Sequence, residues 1–191
     1  HFGLTKISET CYPSNKKALL SFQCTKIMLF GYQEETLNLD IRFKDFKKLE
    51  FKRNKAKKIG VLQTEEDDYV KAKIRIGDLN YNANVRLKGD WADHLDGNRW
   101  SYRVKLKGDQ RLFGMKKFSL QEPKTRNFIN EWVYHKLLKS EDIPSLRYFF
   151  LPLKVNGNDH GIYAVEEHFD KILIENNKFK EGPIIKLSEA L

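Results

Sequence analysis

The sequence predicts an α+β fold, an antiparallel sheet of hairpins with packed helices, and three observations carry that reading. Val70, Ala72, Ile74 and Ile76 alternate with Lys71, Lys73 and Arg75, and the alternation resumes at Ala83, Val85 and Leu87 after Gly77-Asp78-Leu79-Asn80. Residues 147–155 and 161–165 form a second pair of apolar runs around Asn156-Gly157-Asn158-Asp159. Period two bounded by turn residues is the signature of a hairpin. Two further stretches, 43–58 and 128–138, place apolar side chains at helical spacing.

Taken in chain order, residues 1–36 hold Pro13, Ser14 and Asn15 among short apolar runs and read as an irregular lead-in, with a single domain over 37–191. Cys11 and Cys24 in this lead-in have a spacing that allows a bridge across a turn. Such a bridge contributes about 3 kcal/mol in the chain-entropy model; two buried thiols are the alternative. Leu37, Leu39, Ile41 and Phe43 alternate with Asn38, Asp40 and Arg42 and predict a strand. Phe43, Phe46, Leu49 and Phe51 then recur among lysines, predicting a basic amphipathic helix that ends near Lys58, before Gly60, with those side chains on its apolar side. The acidic run Glu65–Asp68 reads as a solvated turn, because adjacent carboxylates on an extended chain diverge instead of converging on one ion.

After the first hairpin, Tyr102, Val104 and Leu106 alternate with Arg103, Lys105 and Lys107 and predict a third strand. Thr125 or Asn127 is placed to cap a helix whose stripe of Phe128, Ile129, Trp132, Val133, Leu137 and Leu138 is expected to lie on the sheet. Pro144 marks its end. The second hairpin leads into a short helix over 168–175, and Pro183, Ile184, Ile185 and Leu187 suggest a final strand.

With 191 residues and 40% hydrophobic content, the chain can bury one substantial core. Its longest apolar runs fall far short of the ~20 residues that cross a bilayer as a helix. The first residue is His, as at a processing boundary. A formal charge of +9, concentrated between Lys44 and Lys58, points to an anionic partner such as nucleic acid, an anionic glycan, a phospholipid surface or nucleotide phosphates, or simply to a solvated face. No Ser-His-Asp order, G-x-S-x-G elbow, HExxH helix or Walker loop occurs, so hydrolase readings have no support.

The strings VRLKGDW at 85–91, SYRVKLKG at 101–108 and RLFGMKKFSL at 111–120, followed by Arg126-Asn127, resemble the opening of the CotH (spore coat protein H) kinase-like family. Asn156, Gly157, Gly161, Tyr163 and Glu167 resemble that family's Asn-Gly-x-x-x-Gly-x-Tyr-x-x-x-Glu hairpin, and Lys186 its later strand-end lysine. The resemblance runs from about residue 70 to 187 and covers the front, nucleotide-binding half. It implies the N-terminal part of an atypical protein-kinase-like fold that uses ATP and Mg²⁺ to phosphorylate Ser or Thr of a protein substrate. It also implies that some members serve in coats or outside the cytoplasm. The family's metal-binding aspartates are expected beyond Lys186, and no Asp-x-Asp pair occurs in the chain.

Phosphoryl transfer needs cations for the phosphates, a carboxylate to orient the key lysine, and metal-bound carboxylates for the developing charge. Within the resemblance, Lys88 and Gly89 open a loop whose backbone has the glycines to approach a polyphosphate; a plain hairpin loop explains the same residues. Lys105 projects from its strand beside Arg103 and Lys107 as a candidate phosphate ligand, a pattern shared by any solvated strand lysine. Glu131 is the helix carboxylate placed to pair with Lys105. Of Glu166 and Glu167, which face opposite sides of a strand, the resemblance favours Glu167, with Lys186 nearby. Asp90, Asp93 and Asp96 read as an acidic loop balancing lysines in preference to a metal site. Two non-enzymatic readings stand beside the kinase: a structural coat or assembly protein, and a basic module that binds an anionic polymer through Lys44–Lys58.

Overall fold

A computed structural model of the chain describes residues 35–89, 92–95, 97–180, 182, 183 and 185. Residues 1–34 of the lead-in, with its two cysteines, lie outside the described residues, as do Trp91, Asp90, Asp96, the side chain of Asp93, and Lys186 with most of the expected final strand. Among the described residues no helix is long and apolar enough to cross a membrane.

Seven strands close into a barrel: β1 (Leu37–Ile41), β2 (Val70–Ile76), β3 (Leu79–Leu87), β4 (Tyr102–Leu106), β5 (Lys117–Gln121), β6 (Tyr148–Val155) and β7 (Asn158–Glu167), in the spatial order β1-β2-β3-β4-β5-β7-β6. This corrects the expected α+β fold, an antiparallel sheet with packed helices like a kinase N-terminal lobe: the fold is mostly β, and the sheet is mixed and closed. The reason is parity. Strand direction alternates around an antiparallel sheet, so a ring with an odd number of strands must contain a parallel pair. Six pairings are antiparallel, and β1 closes on β6 in parallel, Leu37 opposite Leu153 and Leu39 opposite Val155. Asn156 fastens this seam: its N–H donates to Leu39 O at 2.9 Å, and its Oδ1 accepts from Ile41 N–H at 2.7 Å. Asn156 holds φ +49° in a two-residue turn with Gly157 at φ +82°, the pairing an Asn-Gly hairpin turn requires.

Alternation gives the barrel one filled interior. Leu37, Leu39, Ile74, Ala83, Val85, Val104, Phe118, Leu120, Leu153, Tyr163 and Val165 have no exposed surface and belong to one cluster. Each fully buried Leu, Val or Phe contributes about 2 kcal/mol. The helices stay outside. Helix α1 (Phe43–Ile59) follows β1 directly and ends at Gly60, whose left-handed φ of +88° lets its N–H donate to Ala56 O. It buries only Asp45, Leu49 and Ala56, with Phe46 packed on Trp100; Phe43 and Phe51, expected on the apolar side, are 77% and 74% exposed. Helix α2 (Asn130–Ser140) also departs from expectation. Its one buried residue is His135; of the expected apolar stripe Trp132 and Leu138 are half-buried, while Val133 and Leu137, with Phe128 and Ile129 just before the helix, are exposed, so most of the stripe does not lie on the sheet. Helix α3 (Lys171–Asn176) is capped by Asp170, whose Oδ1 accepts from Ile172 N–H at 3.0 Å.

Candidate functional site

The inward positions of β3, β4, β5 and β7 are apolar along the core, with Glu167 at the end of β7 the exception, so their alternate residues share the outer surface. Register then places Arg86 opposite Arg103, Arg103 opposite Ser119, Ser119 opposite Glu166, and Glu166 opposite Tyr148, in one row across five strands. The next row holds Asn84, Lys105 and Lys117. Directly facing like charges are unfavourable in a bare sheet, so two adjacent rows with four cations need anionic neighbours.

Lys88 begins just past β3, where its N–H donates to Ser101 O at 2.9 Å. Only 8% exposed, it reaches across the sheet, and its ammonium donates to Gln121 Oε1 and to Glu166 Oε2. Burial lowers the Lys88 pKa, Glu166 opposes that shift, and Arg103 adds to it. Burial alone would raise the Glu166 pKa, but Lys88, Arg103 and Arg126 outweigh it and hold the carboxyl below its usual value.

Helix α2 brings a second carboxylate. Glu131 approaches Arg126, with Nε and Oε2 3.2 Å apart, and lies 4.0 Å from His135 Nε2. Burial and the nearby Glu166 raise its pKa, against Arg126 and Lys88. His135 stacks on Tyr148 with ring centroids 5.7 Å apart, and burial lowers its pKa. On the opposite flank Arg103 Nη1 lies 2.7 Å from His168 Nδ1; burial, Arg103 and Lys117 together push that imidazole down to about 4. Beneath α2, the Gln121 side chain also hydrogen-bonds the Glu131 carboxylate, whereas Ser119 Oγ, Tyr148 Oη and both ring nitrogens of His135 are buried without a hydrogen-bond partner among the described residues. Buried polar atoms are almost always satisfied, so this cluster has the donor and acceptor capacity of a polar-ligand site.

The structure brings together Lys88, Glu131 and Glu166 and sets Lys105 one row further along the same outer surface. Glu131 meets Arg126 instead of Lys105. Glu167, only 1% exposed, turns to the other side of β7, where its carboxylate accepts from Arg147 N–H at 2.9 Å and from Arg147 Nη2. Arg147 Nη1 also donates to Phe113 O at 3.1 Å, so Glu167 anchors the start of β6. Gly89, at φ +120°, is covered by His94: a Cβ there would stand 2.5 Å from the His94 Cβ. The loop after it is tied down by Arg53 of α1, which donates to Leu95 O at 2.7 Å and Gly97 O at 2.9 Å and lies over the Trp100 ring. Sequence reasoning assigned no site role to Gln121, His135 or Arg126, the last noted only within the family motif. The parity of β5 marks Gln121 and Ser119 as outward polar residues once Phe118 and Leu120 are taken as core.

The cations fit a polyphosphate. Lys88 uses two of its three donors on Gln121 and Glu166 and retains one, and Lys105 and Lys117 lie one row away. Among the described residues no three His, Cys, Asp or Glu side chains converge as a metal site; Mg²⁺ is commonly held by one or two carboxylates together with the phosphates of its nucleotide, and Glu131 is the carboxylate here not committed to a lysine.

No curated protein matches this chain. Residues 85–189, more than half of its length, match the family model described as CotH kinase protein, a stretch that includes Lys88, Arg103, Gln121, Glu131 and Glu166. The chain belongs to the CotH kinase protein family.

Proposed function

We propose that this chain carries the nucleotide-binding part of a CotH-type protein kinase, holding the phosphates of ATP on the outer surface of β3, β4 and β5 for transfer to a protein Ser or Thr. One observation carries the reading: a buried lysine held by a carboxylate, Lys88 on Glu166, stands in a field of outward cations that includes Arg103, Lys105, Lys117 and Arg126. Because phosphoryl transfer depends on fixed positive charge around the transferred group, a lysine locked by a carboxylate incurs little reorganisation when the phosphate arrives. In this reading Lys88 donates its remaining N–H to a phosphate oxygen, Glu166 fixes the ammonium, and Lys105 and Lys117 neutralise the outer phosphates. Glu131, whose pKa is raised by burial and by Glu166 and would be lowered again by a nearby cation, is the residue assigned to Mg²⁺.

A second reading is a structural assembly protein, and the exposed apolar residues on and just before α2, Phe128, Ile129, Val133 and Leu137, favour it.

Calorimetric titration with ATP, with and without Mg²⁺, separates the two. The kinase reading expects a micromolar Kd, about −8 kcal/mol, weakened about tenfold by Lys105→Ala. Absence of heat at millimolar ATP, with α2-dependent self-association in sedimentation, would leave the assembly reading.

A further inference from the structure

The basic helix α1 does not present a plain solvated face. Together with the stretch 62–70 it forms a groove of about 510 Å³, within the range of pockets that take small ligands or peptide side chains. Its floor is apolar: Leu49, Leu62, Val70 and Leu87 line it, all of them buried residues of the core cluster. Its wall carries Lys44, Lys48 and Lys55, which make no ion pair among the described residues, together with Arg86. Opposite stand Asp67 and Asp68, and Asp68 is already engaged, by Lys52 Nζ at 2.8 Å and by Glu65 N–H at 2.7 Å. At the rim Phe51 is 74% exposed.

We propose that this groove is the docking site for an acidic peptide segment of a partner protein, in which carboxylates are interleaved with apolar anchors. An anchor side chain seats on Leu49, Leu62 and Leu87 beneath Phe51, while flanking carboxylates reach Lys44, Lys48 and Lys55. Three features select this occupant. Cations outnumber acids on the lining, so the ligand is anionic. The apolar floor is concave, which suits an inserted side chain in place of a flat lipid surface. The carboxylates of Asp67 and Asp68 repel an unbroken phosphate backbone, whereas a peptide spaces its charges and offers backbone N–H donors to them. Docking in a groove is also the mode the barrel permits, since a closed sheet offers no edge for strand addition. The site requires no nucleotide.

The test is fluorescence anisotropy on the 191-residue chain. The probe is a labelled peptide of about a dozen residues alternating Glu or Asp with Leu or Phe. Its comparators are an all-Glu peptide, a single-stranded oligonucleotide of equal charge and phosphatidylserine vesicles. The alternating peptide is expected to bind with a micromolar Kd, about tenfold tighter than the all-Glu peptide. Phe51→Ala is expected to weaken it about tenfold, and Lys48→Glu with Lys55→Glu to weaken it further. All three side chains are exposed, so circular dichroism and melting remain those of the parent chain. No binding of the alternating peptide, equal or tighter binding of any comparator, or indifference to Phe51→Ala overturns the proposal. ATP titration of the same variants is expected to be unchanged, which keeps this outcome separate from that of the nucleotide site.

Discussion

Lys88 and Glu166 lie 78 positions apart in the chain and meet on the outer surface of the barrel, where Gln121 is the ammonium's second acceptor. Both are largely shielded from water, so each makes the burial of the other tolerable. Removing one partner strands a buried charge, which costs about 3–5 kcal/mol. Lys88→Met is therefore expected to lower stability by about that amount. Lys88→Met combined with Glu166→Leu is expected to recover much of the loss, because two apolar groups leave no charge behind. Urea unfolding of the singles and the double checks this; additive losses would show that the two residues do not act as a pair.

His168 sets a pH dependence. Its pKa is pushed down to about 4, first by burial and then by Arg103 and Lys117, with Asp170 and Glu166 opposing. The ordinary value is 6.5, so between these limits the unfolded chain binds the proton more readily than the folded one. Stability is accordingly greatest above 6.5 and declines as pH falls towards 4. Burial lowers the pKa of His135 and His160 as well, and their contribution has the same sign. Melting temperatures across this range should fall on acidification, and His168→Gln should flatten the slope relative to the parent.

Asn156 combines an unusual backbone with a tie across the seam. Asn156→Ala removes the acceptor for Ile41 N–H and places a Cβ-bearing residue without a compensating amide at φ +49°. The expected loss is about 1–3 kcal/mol. Asn156→Gly loses the same acceptor but tolerates the backbone, so its loss should be smaller. Unfolding midpoints of the two variants read the difference, and equal midpoints would assign no cost to the left-handed conformation.

Arg53 holds the loop between β3 and β4 through two carbonyls and the Trp100 ring. Arg53→Ala should raise hydrogen exchange in residues 92–100 while leaving the β2–β3 hairpin protected. An unchanged exchange rate in that loop would show that the contacts with α1 do not restrain it.

Much of the secondary structure was legible because it is local. The β2–β3 and β6–β7 hairpins, strands β1 and β4, and helix α1 up to its Gly60 cap follow from period two, period 3.6 and turn chemistry. Closure was not legible. It depends on Leu37 pairing with Leu153 and on β5, a five-residue strand sandwiched between two partners, and neither relation leaves a mark on adjacent residues. The same limit applies at the site. Parity shows that Glu166 and Glu167 point apart, but only the register of β5 on β7 decides which of them meets Lys88. Helix α2 misled for a different reason: its apolar residues were taken as its buried side, yet Glu131 and His135, spaced four apart, are the ones that approach the polar surface of the sheet.

The closing strand has a bearing on where this domain is divided. The stretch that matches the family begins at residue 85, whereas β1, β2 and most of β3 precede it. A polypeptide trimmed to that stretch would retain β4, β5, β7 and β6 as an open ribbon, with β4 and β6 each presenting a row of unpaired amides and carbonyls. Such margins recruit strands from neighbouring molecules. The stretch matched to the family is therefore smaller than the closed sheet, and a recombinant fragment that starts at residue 85 is expected to aggregate.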